Sequence, residues 1–186
     1  MLQIIIQGRG GQGAQMAGKI LAASFFREGK FVQAYATYGG ARRGAPVSSF
    51  IRIDEKPIRL RCDIENPDAL LCFDASLLNN TLLQGAKSNT MVLVNSSKMP
   101  EEFKELGNFK LFTVDGKKIS HNNGLGRIVN SSLVGAFAGL LKEPDINNLL
   151  AVIKEISPVK TEENSNSCLE GYNMMNKFIK EREVLA

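Results

Sequence analysis

The sequence contains no tryptophan, only one histidine and only three cysteines. His121 lies in a polar run that predicts a surface loop, and no G-x-S-x-G motif precedes it, so we expect a surface residue and not the base of a Ser-His-Asp triad. The cysteines Cys62, Cys72 and Cys168 are scattered and form no C-x-x-C pair. We therefore expect ordinary buried, reduced thiols, and no iron–sulfur cluster or structural zinc held by this chain.

Long apolar runs and a strong charge of one sign are also missing. The longest apolar stretch, 133–141, falls far short of the ~20 residues that a membrane-spanning helix needs. The N-terminus has no basic region ahead of its short apolar run at 4–6, so no signal peptide is expected and the cytoplasm is the default. The formal net charge of +4 is too small and too dispersed to predict nucleic-acid binding.

The composition is that of one globular domain spanning residues 1–186, with 44% hydrophobic and 23% charged residues. Apolar periodicity predicts strands that alternate with helices, an order typical of a Rossmann-like, three-layer α/β/α sandwich with a mixed, mostly parallel sheet. The predicted strands are 2–7, 31–35, 47–53, 69–73, 91–94 and 110–114. The predicted helices are 14–28, 75–84, 127–141, 144–156 and 168–183.

Two local predictions refine this outline. Residues 47–53 alternate in polarity and are followed by a short polar turn and then by 58–61, which predicts an antiparallel hairpin. The polar run 162–167 predicts a linker ahead of the last helix.

A glycine-rich segment, Gly-Arg-Gly-Gly-Gln-Gly, lies between the first predicted strand and the first predicted helix. Glycines permit positive φ and close backbone approach, and the helix that follows presents free N–H groups and the positive end of its dipole. This pattern favours a bound phosphate or carboxylate, although the glycines could instead serve only close packing of strand and helix. The candidate anion-binding residues here are Gly8, Gly10, Gly11, Gln12 and Gly13.

A stand-alone enzyme that binds a dinucleotide such as NAD or FAD is an alternative. Its fingerprint expects an acidic residue about 20 positions after the glycines, but residues 31–37 contain none. Arg42 or Arg43 could accept a 2′-phosphate, yet the chain has no separate substrate domain.

A second cluster, 38–47, places Arg42 and Arg43 side by side among glycines. The planar guanidinium suits phosphates and carboxylates, so these arginines are candidates for a coenzyme A phosphate or for a carboxylate of a neighbouring subunit. A solvated loop is the simpler interpretation. Both clusters follow predicted strands, and ligands collect at the carboxyl edge of a mostly parallel sheet.

The chain resembles the gamma subunit of the 2-oxoacid:ferredoxin oxidoreductases, which comprise the pyruvate, 2-oxoglutarate and branched-chain 2-oxoacid enzymes. The resemblance covers nearly the whole chain. It rests on the segments 8–13, 17–18, 21–22, 38–39, 43–47 and 133–135, and on Asn130.

The resemblance implies an accessory α/β subunit with no catalytic residue of its own. The holoenzyme would decarboxylate a 2-oxoacid on thiamine diphosphate with magnesium, reduce ferredoxin through iron–sulfur clusters, and transfer the acyl group to coenzyme A. These cofactors would lie on or with partner alpha, beta and ferredoxin-like delta subunits, and the isolated chain would be inactive. One position departs from the family pattern, because Ala41 stands where the family often has glutamate.

Overall fold

The computed structural model describes residues 1–39, 44–157 and 159–185, and it contains one six-stranded sheet. Six of the seven predicted strands are present, most of them one to three residues longer than predicted, and only 58–61 is not a strand. The strands are β1 (Leu2–Arg9), β2 (Phe31–Tyr38), β3 (Pro46–Asp54), β4 (Ala69–Cys72), β5 (Met91–Asn95) and β6 (Lys110–Val114).

The strand order is β2-β3-β1-β4-β5-β6. β3 is antiparallel to both β1 and β2, whereas β1, β4, β5 and β6 are parallel to one another. Five strands therefore run in one direction and their carboxyl ends meet at one edge of the sheet, which confirms the predicted mixed, mostly parallel sheet with an antiparallel hairpin.

The hairpin is not the one predicted. β3 pairs with β2 and β1, so both of its sides are occupied and residues 58–61 cannot return along it as a strand. Side chains of β2 and β3 instead hydrogen-bond to the backbone of this segment and of Cys62 just after it. Gln33 Nε2 donates to Leu60 O at 2.8 Å, and Arg52 Nη2 donates to Cys62 O at 2.8 Å.

The helices cover the two faces of the sheet unequally. One face packs against α1, α3, α4, α5 and α6, and the other, over β4 to β6, packs mainly against α2 and two 3₁₀ helices. The three-layer arrangement is confirmed, and the helical layer over β4 to β6 is the thinner of the two. The α-helices are α1 (Ala14–Arg27), α2 (Asn80–Leu83), α3 (Gly116–Asn122), α4 (Asn130–Leu141), α5 (Ile146–Ile156) and α6 (Thr161–Leu185), and the 3₁₀ helices are Ala75–Leu77 and Pro100–Leu106.

One predicted helix requires correction, and two helices were not predicted. The helix predicted at 75–84 is two short pieces, because Asn79 is extended and its side chain caps α2 by accepting from Leu82 N at 2.9 Å. The Pro100–Leu106 helix was not predicted. Neither was α3, which begins at the capping residue Asp115; its exposed His121 is a surface residue as expected, but a helical one.

The run 162–167 is part of α6 and not a linker. Its polar side chains satisfy the helix's own backbone: Asn164 Nδ2 donates to Lys160 O at 2.8 Å, and Ser165 Oγ donates to Thr161 O at 2.9 Å. Ser131 of α4 donates to Asn164 Oδ1 at 2.6 Å, so this first turn and a half of α6 packs on the core. Among the described helices, none has the length and hydropathy to cross a lipid bilayer.

Candidate functional site

The glycine loop lies where β1 ends and α1 begins, at the carboxyl edge of the sheet. Gly11 and Gly13 have φ angles of 94° and 93°, in the region that favours glycine. Gly13 is the N-cap of α1, and no side chain caps that end. The N–H groups of the first helical turn are therefore available to a ligand, because they lack intrahelical partners.

The glycines of this loop serve two different needs. A Cβ on Gly8 would lie 3.0 Å from Ala14 Cβ, and one on Gly13 would lie 3.1 Å from Asn130 Cβ, so these two permit close packing. A Cβ on Gly11 would meet no atom within 4 Å, so Gly11 faces open space. The packing interpretation therefore applies to Gly8 and Gly13, whereas anion binding by the loop stays a prediction.

Hydrogen bonds inside the loop show which groups are already used. Gly10 N donates to Ala45 O at 2.8 Å, which attaches the glycine loop to the start of β3. Gln12 Oε1 accepts from Arg9 N at 2.7 Å, and Gln12 N donates to Arg9 O at 2.9 Å. Gln12 therefore closes the loop on itself, and these contacts do not involve Gly11 or the N–H groups at the start of α1.

An ion pair behind the loop fixes its position. Arg9 Nε donates to Asp74 Oδ2 at 2.9 Å, Arg9 Nη2 donates to Ser76 Oγ at 2.8 Å, and Gln12 Nε2 donates to the same Asp74 oxygen at 3.3 Å. Partial burial alone would raise the pKa of Asp74, but hydrogen bonds from Ser76, Arg9 and Gln12 outweigh it and hold that pKa below its ordinary value. Asp74 remains ionised and holds the loop.

A cavity of about 330 Å³ opens in front of the loop. Gly11 and Gly13 are among the residues that line it, and so are the exposed residues Met16, Lys19 and Tyr38. Lys19 places a positive charge at this cavity, and it was not among the candidate residues predicted from the sequence. The available signal was helical spacing, because a residue about one turn beyond the start of α1 can share a face with the loop.

The second predicted cluster is only partly described. Arg42, Arg43 and Ala41 lie outside the described residues, so the structure does not test them. The flanking residues place the base of this loop beside the glycine loop: Gly39 N donates to Pro46 O at 2.9 Å, and Ala45 O accepts from Gly10 N.

The cysteines are distributed differently from the prediction. Cys72 and Cys168 are buried, and burial raises the pKa of each thiol to about 12, but Cys62 is exposed. The prediction of three buried thiols is therefore wrong for Cys62, which lies in the irregular segment between β3 and β4. The described residues contain no group of three or more His, Cys, Asp or Glu side chains that could hold a metal ion.

A mixed, mostly parallel sheet with helices on both faces and a glycine loop at its carboxyl edge defines a Rossmann-like α/β domain. The chain belongs to the pyruvate ferredoxin/flavodoxin oxidoreductase family, whose model matches residues 3–174. Within that family it is a gamma-type subunit of a 2-oxoacid:ferredoxin oxidoreductase, an accessory subunit of the enzyme complex. The alternative of a stand-alone dinucleotide-binding enzyme finds no support.

Three relatives illustrate the similarity. The chain is 39% identical over 181 residues to the pyruvate synthase subunit PorC of Methanothermobacter thermautotrophicus, covering 96% of this chain and 98% of the relative. It is 39% identical over 182 residues to the pyruvate/ketoisovalerate oxidoreductases common subunit gamma of Thermococcus kodakarensis, covering 93% and 96%. The crystal structure of the pyruvate oxidoreductase subunit PORC of Thermotoga maritima superposes with a TM-score of 0.82 at 30% identity, covering 92% and 95%.

Proposed function

We propose that this chain is the gamma subunit of a cytoplasmic pyruvate:ferredoxin oxidoreductase that assembles with alpha, beta and ferredoxin-like delta subunits. The observation that carries the choice of pyruvate is the end-to-end similarity to a pyruvate synthase subunit, at 39% identity over 96% of the chain. In this proposal the complex decarboxylates pyruvate oxidatively, reduces ferredoxin and forms acetyl-coenzyme A. The thiamine diphosphate, magnesium and iron–sulfur clusters belong to the partner subunits.

The glycine loop is the part of this chain that we assign to coenzyme A, whose thiol accepts the acyl group when it is bound. The backbone of Gly11 and the uncapped first turn of α1 offer N–H donors to a phosphate, and the helix dipole adds a partial positive charge. Lys19 lines the same cavity and supplies a full positive charge. These groups bind and orient an anion, and none of them is placed to carry out a chemical step.

Arg9, Asp74 and Gln12 act on the ligand only through the glycine loop, without contacting it themselves. Their hydrogen bonds to one another hold the loop between β1 and α1, so the donors of Gly11 and of the helix start keep their direction. In the proposed complex these three residues are positioning residues. The arginines Arg42 and Arg43 are further candidates for a coenzyme A phosphate or for a carboxylate of a partner subunit.

The test is to isolate the complex from the native organism through a tag on this chain. We expect native mass spectrometry to find three partner subunits, and the complex to reduce ferredoxin with pyruvate faster than with 2-oxoglutarate or 2-oxoisovalerate. The isolated chain, given thiamine diphosphate, coenzyme A and a dye acceptor, should show no turnover. Faster turnover of another 2-oxoacid would refute the choice of pyruvate, and turnover by the isolated chain would refute the accessory role.

A further inference from the structure

The two edge strands of the sheet differ in how they are protected from pairing with another chain. At one edge, β6 has five residues and begins with Lys110. α6 and the Pro100–Leu106 helix pack on opposite faces beside it, and the Arg182–Glu101 ion pair, with an N···O distance of 3.7 Å, joins them. Short length, charge and flanking cover are the features that stop an edge strand from pairing with another chain.

The other edge strand, β2, is neither short nor charged, although α1 packs beside it and residues 60–63 bind its side chains. It is eight residues long and contains neither a charged residue nor a proline. It pairs with β3 along its whole length, from Phe31 opposite Asp54 to Tyr38 opposite Val47, and within the described part of the chain no strand pairs with its outer side. Because an antiparallel ladder uses alternate residues, the remaining N–H and C=O groups of β2 point outward and can receive another extended segment.

A groove runs beside this edge. A cavity of about 140 Å³ lies between α1 and β2, and the small residues Gly18, Ala34 and Ala36 line it together with Lys19. Ala34 is exposed although it lies in the middle of β2. The groove has room for a side chain from an additional strand, since strands lie about 4.8 Å apart and their side chains project alternately to the two faces.

We infer that β2 is a docking strand for an extended segment donated by another subunit of the complex. The segment would continue the sheet beyond β2, place an apolar side chain over Ala34 and Ala36, and carry no lysine or arginine opposite Lys19. This inference rests on the proposed function only in requiring that the chain works within a complex.

Charge argues against a second copy of this chain as the occupant. Two copies paired through β2 would be related by a twofold axis at the sheet edge. α1 packs over β2 and β3, so the two α1 helices would then lie roughly 10 Å apart. If all eight residues of β2 paired, the axis would pass beside Ala34 and Tyr35, so Lys19, which lines the groove with Ala34, would lie close to its copy. The repulsion between these two charges opposes self-pairing.

Amide hydrogen exchange of the peptide that covers residues 31–38 tests the inference directly on the wild-type protein. In the isolated chain the outward N–H groups should exchange within seconds, and in the native complex we expect about half of the β2 amides to be slowed at least tenfold. Unchanged exchange in an intact complex would overturn the inference and leave the proposed function standing. Slowing in the isolated chain that grows with its concentration would overturn it in favour of a second copy.

Two variants at one position give an independent test. Ala34→Glu fills the groove with a charged side chain and should reduce the amount of partner subunits that co-purify with the tagged chain at least tenfold. Ala34→Ser keeps the groove and should leave co-purification unchanged. Equal recovery with both variants would contradict the inference, provided that thermal melting shows the isolated Ala34→Glu chain to be folded. Failure of the wild-type chain to recover any partner would contradict the proposed function instead.

Discussion

Arg9 Nε lies 2.9 Å from Asp74 Oδ2, and this contact joins the last residue of β1 to the second residue beyond the end of β4. The two strands are neighbours in the sheet although 65 positions separate the two residues in sequence. Gln12 from the glycine loop donates to the same carboxylate oxygen. The shape of the loop therefore depends on the strand order of the sheet as well as on its own glycines.

Replacing Asp74 with asparagine should weaken the loop. We expect Asp74→Asn to lower the free energy of unfolding by on the order of 1 kcal/mol, because charge-assisted hydrogen bonds are lost at a partly exposed site. The pKa of Asp74 is below its ordinary value of 3.8, so its contribution is complete above that value and disappears as the pH falls through the lowered pKa. Thermal melting of the two proteins from pH 7 to pH 3 measures the difference.

The difference in melting temperature between wild type and Asp74→Asn should be constant from pH 7 to about pH 5 and should shrink below about pH 4. Asp115→Asn is a matched control, because Asp115 caps α3 at the same edge of the sheet without contacting the glycine loop. If the difference in melting temperature between wild type and Asp74→Asn does not change with pH, the carboxylate charge is unimportant to the loop.

Gly11 can be tested against a glycine of the same backbone conformation elsewhere. Gly11 and Gly29 have φ angles of 94° and 79°, and a Cβ at either position would meet no atom within 4 Å. Gly11→Ala and Gly29→Ala should therefore each cost about 1 kcal/mol of stability through backbone strain alone. Only Gly11→Ala should raise the KM for coenzyme A in the assembled enzyme. Equal KM values for the two variants would exclude Gly11 from the anion site.

The glycine loop could be predicted from sequence because its signal is local. The order strand, glycines, helix lies within one short segment, and the same segment supplies the free N–H groups. The role of Asp74 could not be predicted in this way, since it depends on β4 lying beside β1. Lys19 was predictable only in part. Its position on α1 could be predicted, but whether it lines the cavity depends on where β2 and Tyr38 lie.

The errors in the fold have a common cause, which is that local composition alone decided whether a segment was a linker or a strand. Residues 162–167 are polar but helical, because Asn164 and Ser165 bind carbonyl groups of their own helix and pack beside α4. Residues 58–61 have a strand-like composition but are irregular, because β1 and β2 already occupy both sides of β3. In each case tertiary contacts outweighed local preference.

Close packing of α4 on α6 gives a prediction about stability. A Cβ on Gly135 would lie 1.9 Å from Cys168 O, so an alanine at this position forces the two helices apart. We expect Gly135→Ala to destabilise the chain by about 3 kcal/mol and to lower its melting temperature by about 10 °C. Lys177→Ala, on the exposed side of α6, is the control and should change stability by less than about 0.5 kcal/mol. Similar melting temperatures for both variants would contradict the close helix contact.

Lys19 gives a kinetic prediction for the proposed anion site. Removing an exposed cation from a phosphate contact should weaken binding by up to about 1 kcal/mol, so Lys19→Ala should raise the KM for coenzyme A about threefold to fivefold with little change in kcat. Lys117→Ala removes the same charge from exposed α3 and should leave both constants unchanged. A rise in KM that is equal in the two variants would reflect net charge alone and not a contact at the cavity.

Arg42 and Arg43 lie outside the described residues, so their role stays a prediction from sequence. Two adjacent arginines repel each other unless an anion lies beside them, and that anion would be either a coenzyme A phosphate or a carboxylate of a partner subunit.

Kinetics and dissociation of the reconstituted complex distinguish these two cases. If a phosphate is the partner, Arg42→Ala and Arg43→Ala should raise the KM for coenzyme A roughly tenfold with little change in kcat, because a charge-assisted hydrogen bond is worth about 1.5–3 kcal/mol. If a carboxylate is the partner, the complex should dissociate at higher protein concentration while that KM stays constant, and we expect this second result because the chain is an accessory subunit. Arg59→Ala, at an exposed position of the irregular segment after β3, is the control for lost charge. If KM and dissociation both equal those of the control, the two arginines belong to a solvated turn.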